Sequence, residues 1–141
     1  MTMHVHARPE AVIAPCLGLL VQLVEMDPGS LKVHREALER AGAVVHAATT
    51  ADEALSVAPD VDVDVLVCHT GLQDVSAFTL LRLLRRMRPE FVHLPAIALS
   101  SRRDEDEIVE ALQAGFHIHA VLPIEPYDLV QMVTGLVRRL P

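Results

Sequence analysis

The chain has 141 residues, 51% of them hydrophobic, and a formal net charge of −7 from 19 acidic and 12 basic side chains. That length suits one domain with a proper core. The acidic balance argues against a general nucleic-acid binder, which needs a basic surface to meet phosphates. With three Phe, one Tyr and no Trp, the core has to be assembled from Val, Leu, Ile and Ala.

Residues 1–16 hold Pro9 and Pro15 and show no period, so they read as a flexible N-terminal extension ahead of a domain at 17–141. His4 and His6 have no further ligands nearby, and a tail is expected there instead of a metal site. The apolar run Ala11–Val24 is broken by Pro15 and Gln22 and falls short of the ~20 residues a membrane span needs. No basic n-region or small-residue cleavage site marks a signal peptide. Cys16 and Cys68 lack C-x-x-C spacing, so reduced thiols and a cytoplasmic setting are expected.

Leu17–Val24 reads as strand one. Asp27-Pro28 signals a helix start, and that helix turns Leu31, His34, Leu38 and Ala41 inward before Gly42 closes it. Ala43–Ala48 forms strand two. Thr50-Ala51-Asp52-Glu53 is a capping box that opens a short helix, stopped by Pro59. Val63–Cys68 is a β-branched apolar run that suits a strand buried on both faces. His69, Thr70, Gly71, Gln73 and Asp74 follow as a polar, solvated loop. Ser76–Met87 is an amphipathic helix with Phe78, Leu81 and Leu84 inward, and Arg82, Arg85, Arg86 and Arg88 read as its solvated face. Pro95–Leu99 is strand four, followed by Ser100. Asp104–Ala114 is a helix with Asp104, Glu105, Asp106 and Glu107 at its positive N-terminus and Gly115 at its end. His119–Leu122 is strand five, and Pro126–Leu140 is the last helix. Five β-α units without repeats or a long linker imply a doubly wound, five-stranded parallel sheet with helices on both faces. In such sheets ligands sit beyond the carboxyl ends of the strands, where His69 stands.

The joint order of four motifs resembles the receiver domain of bacterial two-component response regulators, of the chemotaxis-regulator type. They are Leu23-Val24-Glu25-Met26-Asp27-Pro28, Asp64-Val65-Leu66-Val67-Cys68-His69, Ile97-Ala98-Leu99-Ser100, and Ala114-Gly115-Phe116 through Leu122-Pro123. The likeness covers about Leu19 to Leu140. It implies a flavodoxin-like receiver fold of strand order 2-1-3-4-5. It also implies an acidic pair after strand one that holds Mg²⁺, an aspartate after strand three that accepts phosphate, and two phosphate contacts: a hydroxyl after strand four and a lysine before the strand-five proline. Position by position, these become Glu25 and Met26, His69, Ser100 and Leu122. Met and His leave too few hard oxygens for Mg²⁺, and Leu122 removes the cation that would pair with a phosphoryl group.

The chain therefore reads as a degenerate receiver (a pseudo-receiver) with no catalytic residues, no resident metal or other cofactor, and Mg²⁺ binding lost or weak. The expected function is a signalling interaction module that binds a protein partner, a second copy of the chain among the options, and neither nucleic acid nor membrane. By analogy, its surface lies on helix four, strand five and helix five: Glu105, Asp106, Glu110, His119, Tyr127, Gln131, Arg138 and Arg139. The alternatives are a phosphotransfer receiver using His69 or Asp27 as an atypical acceptor, and a small metal-dependent enzyme with zinc at His69, His119 and Glu25. Capping alone explains Asp27, and an uncharged imidazole filling an aspartate's space explains His69. Motifs for dinucleotide binding and for a hydrolase elbow are absent, and the cobalamin motif D-x-H-x-x-G fails at Val67 and Gly71. The stretch ends directly after helix five, so no output domain is expected within it.

Overall fold

Alternating β-branched runs and amphipathic stretches fold into a parallel sheet wrapped on both faces. The structure, a computed structural model, describes residues 14–139. In chain order the elements are β1 (Leu20–Val24), α1 (Pro28–Arg40), β2 (Val44–Ala48), α2 (Ala51–Val57), β3 (Val65–His69), α3 (Ala77–Met87), β4 (Ala96–Ser100), α4 (Glu105–Ala114), β5 (Ile118–Val121) and α5 (Pro126–Arg139). The sheet order is β2-β1-β3-β4-β5, with every pair parallel.

Side-chain alternation splits the core in two. Val21, Leu23, Val65, Val67, Ile97 and Leu99 pack with Leu38, Leu129, Val133 and Leu136, under α1 and α5. Leu66, Cys68, Ala96 and Ala98 pack with Ala54, Leu80, Leu81, Leu84, Ala111 and Phe116, under α2, α3 and α4. Both faces of β3 and β4 are covered, which is why these strands carry continuous apolar runs. Burial pushes the Cys68 thiol upward. It does the same for Cys16, partly offset by the Arg138 charge, and both cysteines are free.

Four helix starts are set locally. Asp27, Thr50, Ser76 and Asp104 each accept a backbone N–H three residues on, at 2.9, 3.1, 3.1 and 3.2 Å. Other expectations shift. Cys16, placed by the sequence in the N-terminal extension, belongs to the folded domain: it is fully buried and its N–H donates to the Ala41 carbonyl at 2.7 Å. Residues 1–13, with His4 and His6, lie outside the described residues, as does Leu140. Strand one starts at Leu20, not Leu17, because Pro15–Gly18 form a turn that seats on Gly42. A Cβ at Gly42 would stand 3.0 Å from the Ala14 methyl, and its φ of +99° favours glycine anyway.

Three polar residues expected in solvent are structural. Asp74 accepts the Ala51 and Asp52 N–H groups at 3.2 and 3.0 Å, capping α2 from the loop after β3. Of the arginines, Arg85 donates to the Leu94 and Gly115 carbonyls, both at 2.9 Å. Arg88 donates to Val61 O at 3.0 Å, pairs with Asp62, and lies 4.7 Å from the centre of the Phe91 ring. Their long stems cover the core while the heads staple loops.

Candidate functional site

The carboxyl ends of β1, β3, β4 and β5 converge on one end of the sheet. Glu25 continues β1, its N–H bonded to Ala48 O at 3.0 Å, which drives its side chain down into the protein at 1% exposure. There Oε2 lies 2.6 Å from Nδ1 of His34, on the inner face of α1, while Oε1 is buried without a partner among the described residues. Met26 points outward, 38% exposed. Asp27 caps α1, and the hydrogen bonds with Ser30 hold its carboxyl below the usual range.

His69 ends β3. Its Nδ1 accepts the Gly71 N–H at 2.8 Å, so in the neutral ring the proton sits on Nε2. A side chain at position 71 would meet that ring at 2.9 Å, so glycine permits this fold-back. Leu122 follows β5, with its N–H on Ser100 O at 2.7 Å and a cis peptide bond to Pro123. Glu25, Met26, Asp27, His69 and Leu122 thus face a common groove of about 1020 Å³.

Ser100, the remaining family position, is completely buried and turns away from the groove. Its hydroxyl accepts the Arg102 N–H at 2.9 Å and joins a cluster around Glu107 that sequence reasoning missed. The Glu107 carboxylate accepts from Thr70 Oγ1 at 3.0 Å and His119 Nε2 at 3.1 Å, and pairs with Arg102 Nε at 3.2 Å. Burial alone would raise its carboxyl. The hydrogen bonds from Ser100, His119 and Thr70, with the Arg102 charge, win, and the net shift is downward. One signal was available in the sequence: Glu107 and Ala111 share the i, i+4 face that α4 buries, so one of its four leading acids had to point inward.

His119 is therefore not on the surface. Its side chain is 3% exposed beneath α4, because the ring is drawn to Glu107. Glu105, Asp106, Glu110, Gln131 and Arg138 are exposed, as is Tyr127 at 70%, and with them the apolar Val109 and Leu112. The Arg139 side chain lies outside the described residues.

The donor set does not fit Mg²⁺. One Glu25 oxygen is taken by His34, Asp27 spends an oxygen on the Ser30 N–H, and the remaining neighbours are a thioether and an imidazole, where the ion requires oxygen ligands in an octahedron. Zinc fares no better: Glu25 turns to His34, His69 to Gly71 and His119 to Glu107, so the three do not converge. Among the described residues, no three His, Cys, Asp or Glu side chains are grouped to hold a metal ion.

Comparison with known proteins gives consistent likenesses. The family model described as "Response regulator receiver domain" matches residues 21–134. An uncharacterized 14.6 kDa protein of Leptolyngbya boryana is 32% identical over 113 residues, which are 80% of this chain and 86% of that protein. The transcriptional regulatory protein TrcR of Mycobacterium tuberculosis is 32% identical over 119 residues, 84% of this chain but 45% of that protein. The chain thus spans about half the length of such regulators. A putative response regulator of Chloroflexus aurantiacus superposes with a TM-score of 0.79 at 26% identity, covering 86% of this chain and 98% of that one. A CheY-like receiver domain protein of Methanospirillum hungatei gives 0.77 at 22% identity, covering 86% and 94%. No helix among the described residues is long and apolar enough to cross a membrane.

Proposed function

This chain belongs to the response regulator receiver family of two-component signalling, and we propose that it serves there as an interaction module whose output does not depend on aspartyl phosphorylation. One observation carries the reading: the acceptor position holds His69, an imidazole that cannot form an acyl phosphate and whose Nδ1 is engaged by its own loop at Gly71. Its surroundings point the same way. The surviving acid, Glu25, is clamped by His34, and Leu122 offers no charge to a phosphoryl group. The partner is a protein received on the face of α4, β5 and α5. There Val109, Leu112 and Tyr127 supply apolar contact, and Glu105, Asp106, Glu110 and Arg138 form a charged rim. The acidic balance speaks against direct nucleic-acid binding, and two buried reduced thiols suit the cytoplasm.

Intact-mass spectrometry after incubation with acetyl phosphate and Mg²⁺ tests this. The expected result is an unchanged mass. One added phosphoryl group, mapped to His69 or Asp27, overturns the reading and installs an atypical acceptor in its place.

A further inference from the structure

The groove at the carboxyl ends of β1 and β5 has a composition that calls for an occupant other than phosphate. Its walls are apolar: Met26, Val33, Leu122 and Ile124 line it. Met26 and Val33 are 38% and 49% exposed, so this surface already faces water. At about 1020 Å³ it reaches the upper end of the roughly 300–1,000 Å³ typical of small-molecule sites, which join apolar walls to a few placed polar groups.

The acidic groups here are two carboxylates, set among the imidazoles of His34 and His69 and the hydroxyls of Ser30 and Ser101. Glu25, 1% exposed, keeps Oε1 without a hydrogen-bond partner among the described residues, an uncommon condition for a buried charged oxygen. Its other oxygen is matched by His34, so the lone acceptor belongs to a side chain held rigidly in place. Asp27 adds a second carboxylate at the mouth, kept ionised by the Ser30 N–H. His69, with Nδ1 committed to Gly71, contributes a neutral ring edge. Among the described residues, no Lys or Arg lines the groove. An anion entering it would meet these carboxylates with only the imidazoles of His34 and His69 beside them, whereas a cation would meet Asp27 directly and the charge of Glu25 beneath it. Charge-assisted N⁺–H···O⁻ bonds are the strong ones, and desolvation beside apolar walls strengthens them further.

We propose that this groove binds a small organic amine, its apolar body against Met26, Val33, Leu122 and Ile124 and its ammonium on the Asp27 carboxylate at the mouth, above the buried negative charge of Glu25. The site would give the module a ligand input in place of phosphorylation. It rests on the reading that no phosphoryl group uses this end of the sheet.

The test uses the full chain and two probes of similar size and opposite charge, 2-phenylethylamine and 3-phenylpropionate, followed by calorimetry and by NMR shifts of the Met26, Val33, Leu122 and Ile124 methyls. The amine should bind saturably, with about tenfold or greater preference over the acid, and should move those methyls. Leu122→Lys, which places a cation inside the groove, should weaken the amine about tenfold or more. Val33→Lys, a change on the exposed side of α1 that spares the core, should act in the same direction if Leu122→Lys folds poorly. Val44→Thr, at the far edge of the sheet, should leave binding unchanged. Equal binding of the two probes, preference for the acid, or no saturable binding of either overturns the proposal. A protein that ignores both probes and stays unlabelled by acetyl phosphate loses the amine site but keeps the phosphorylation-independent reading. A protein that labels loses the premise of both.

Discussion

Glu107 gathers a hydroxyl from the end of β3, a hydroxyl from β4, a guanidinium from the next loop and an imidazole from β5 onto a single carboxylate. Truncation to Ala leaves those donors facing a void, and Glu107→Ala should lower stability by about 3 kcal/mol in urea denaturation. The carboxyl lies below its unfolded value, so its contribution is complete above about pH 4.3 and is lost as pH falls through the lower folded value. Glu107→Gln should therefore flatten the acid limb of the stability–pH curve while changing its slope little near neutrality. His34 has a comparable hold on Glu25, and this bears on attempts to restore phosphorylation. His69→Asp alone should stay unlabelled by acetyl phosphate, since each missing electrostatic contact slows such chemistry about 10²–10³-fold. Adding Met26→Asp and Leu122→Lys supplies the missing carboxylate and cation. Adding His34→Ala as well frees Glu25 for Mg²⁺, so intact mass should show faster labelling of the quadruple variant than of the triple.

Between elements, the arginines of α3 act as staples. Arg85 reaches the carbonyls before β4 and after α4, and its guanidinium occupies the space where a side chain on Gly115 would go. Gly115 also has φ +109° at the end of α4, so Gly115→Ala should cost about 1–3 kcal/mol, read as a lowered thermal midpoint. The sequence alone makes the order of elements and the helix caps at Asp27 and Thr50 legible, because periodicity and an Asp or Thr three residues before its N–H partner are local signals, while Ser76 and Asp104, read as helix residues, prove to be caps. It also places Glu25, Met26, Asp27, His69 and Leu122 at one end of the sheet. What it hides is contact across distance. Arg85 and Gly115 are 30 residues apart, Thr70 and Glu107 are 37, and no periodicity couples them. His119 shows the same limit: a polar residue on an edge strand looks exposed until the carboxylate above it is known.

For the molecule as a whole, Met26 and His69 stand outside both halves of the core, while Leu122 and Ile124 of the groove wall pack against the half under α1 and α5. The charged residues of the α4–β5–α5 face are exposed and belong to neither half of the core, so substituting them should spare folding. Arg138→Glu reverses one charge of that face and should weaken association with a partner or a second copy, measured by sedimentation at low salt, where exposed charges act farthest. The same face holds Tyr127, which with no Trp anywhere in the chain is its sole strong ultraviolet fluorophore. At 70% exposure that ring is already hydrated in the folded protein, so unfolding should barely alter its emission. Docking of a partner over α5 should quench or shift it instead. Intrinsic fluorescence thus becomes a built-in gauge of complex formation, almost blind to the core, and it needs no attached dye.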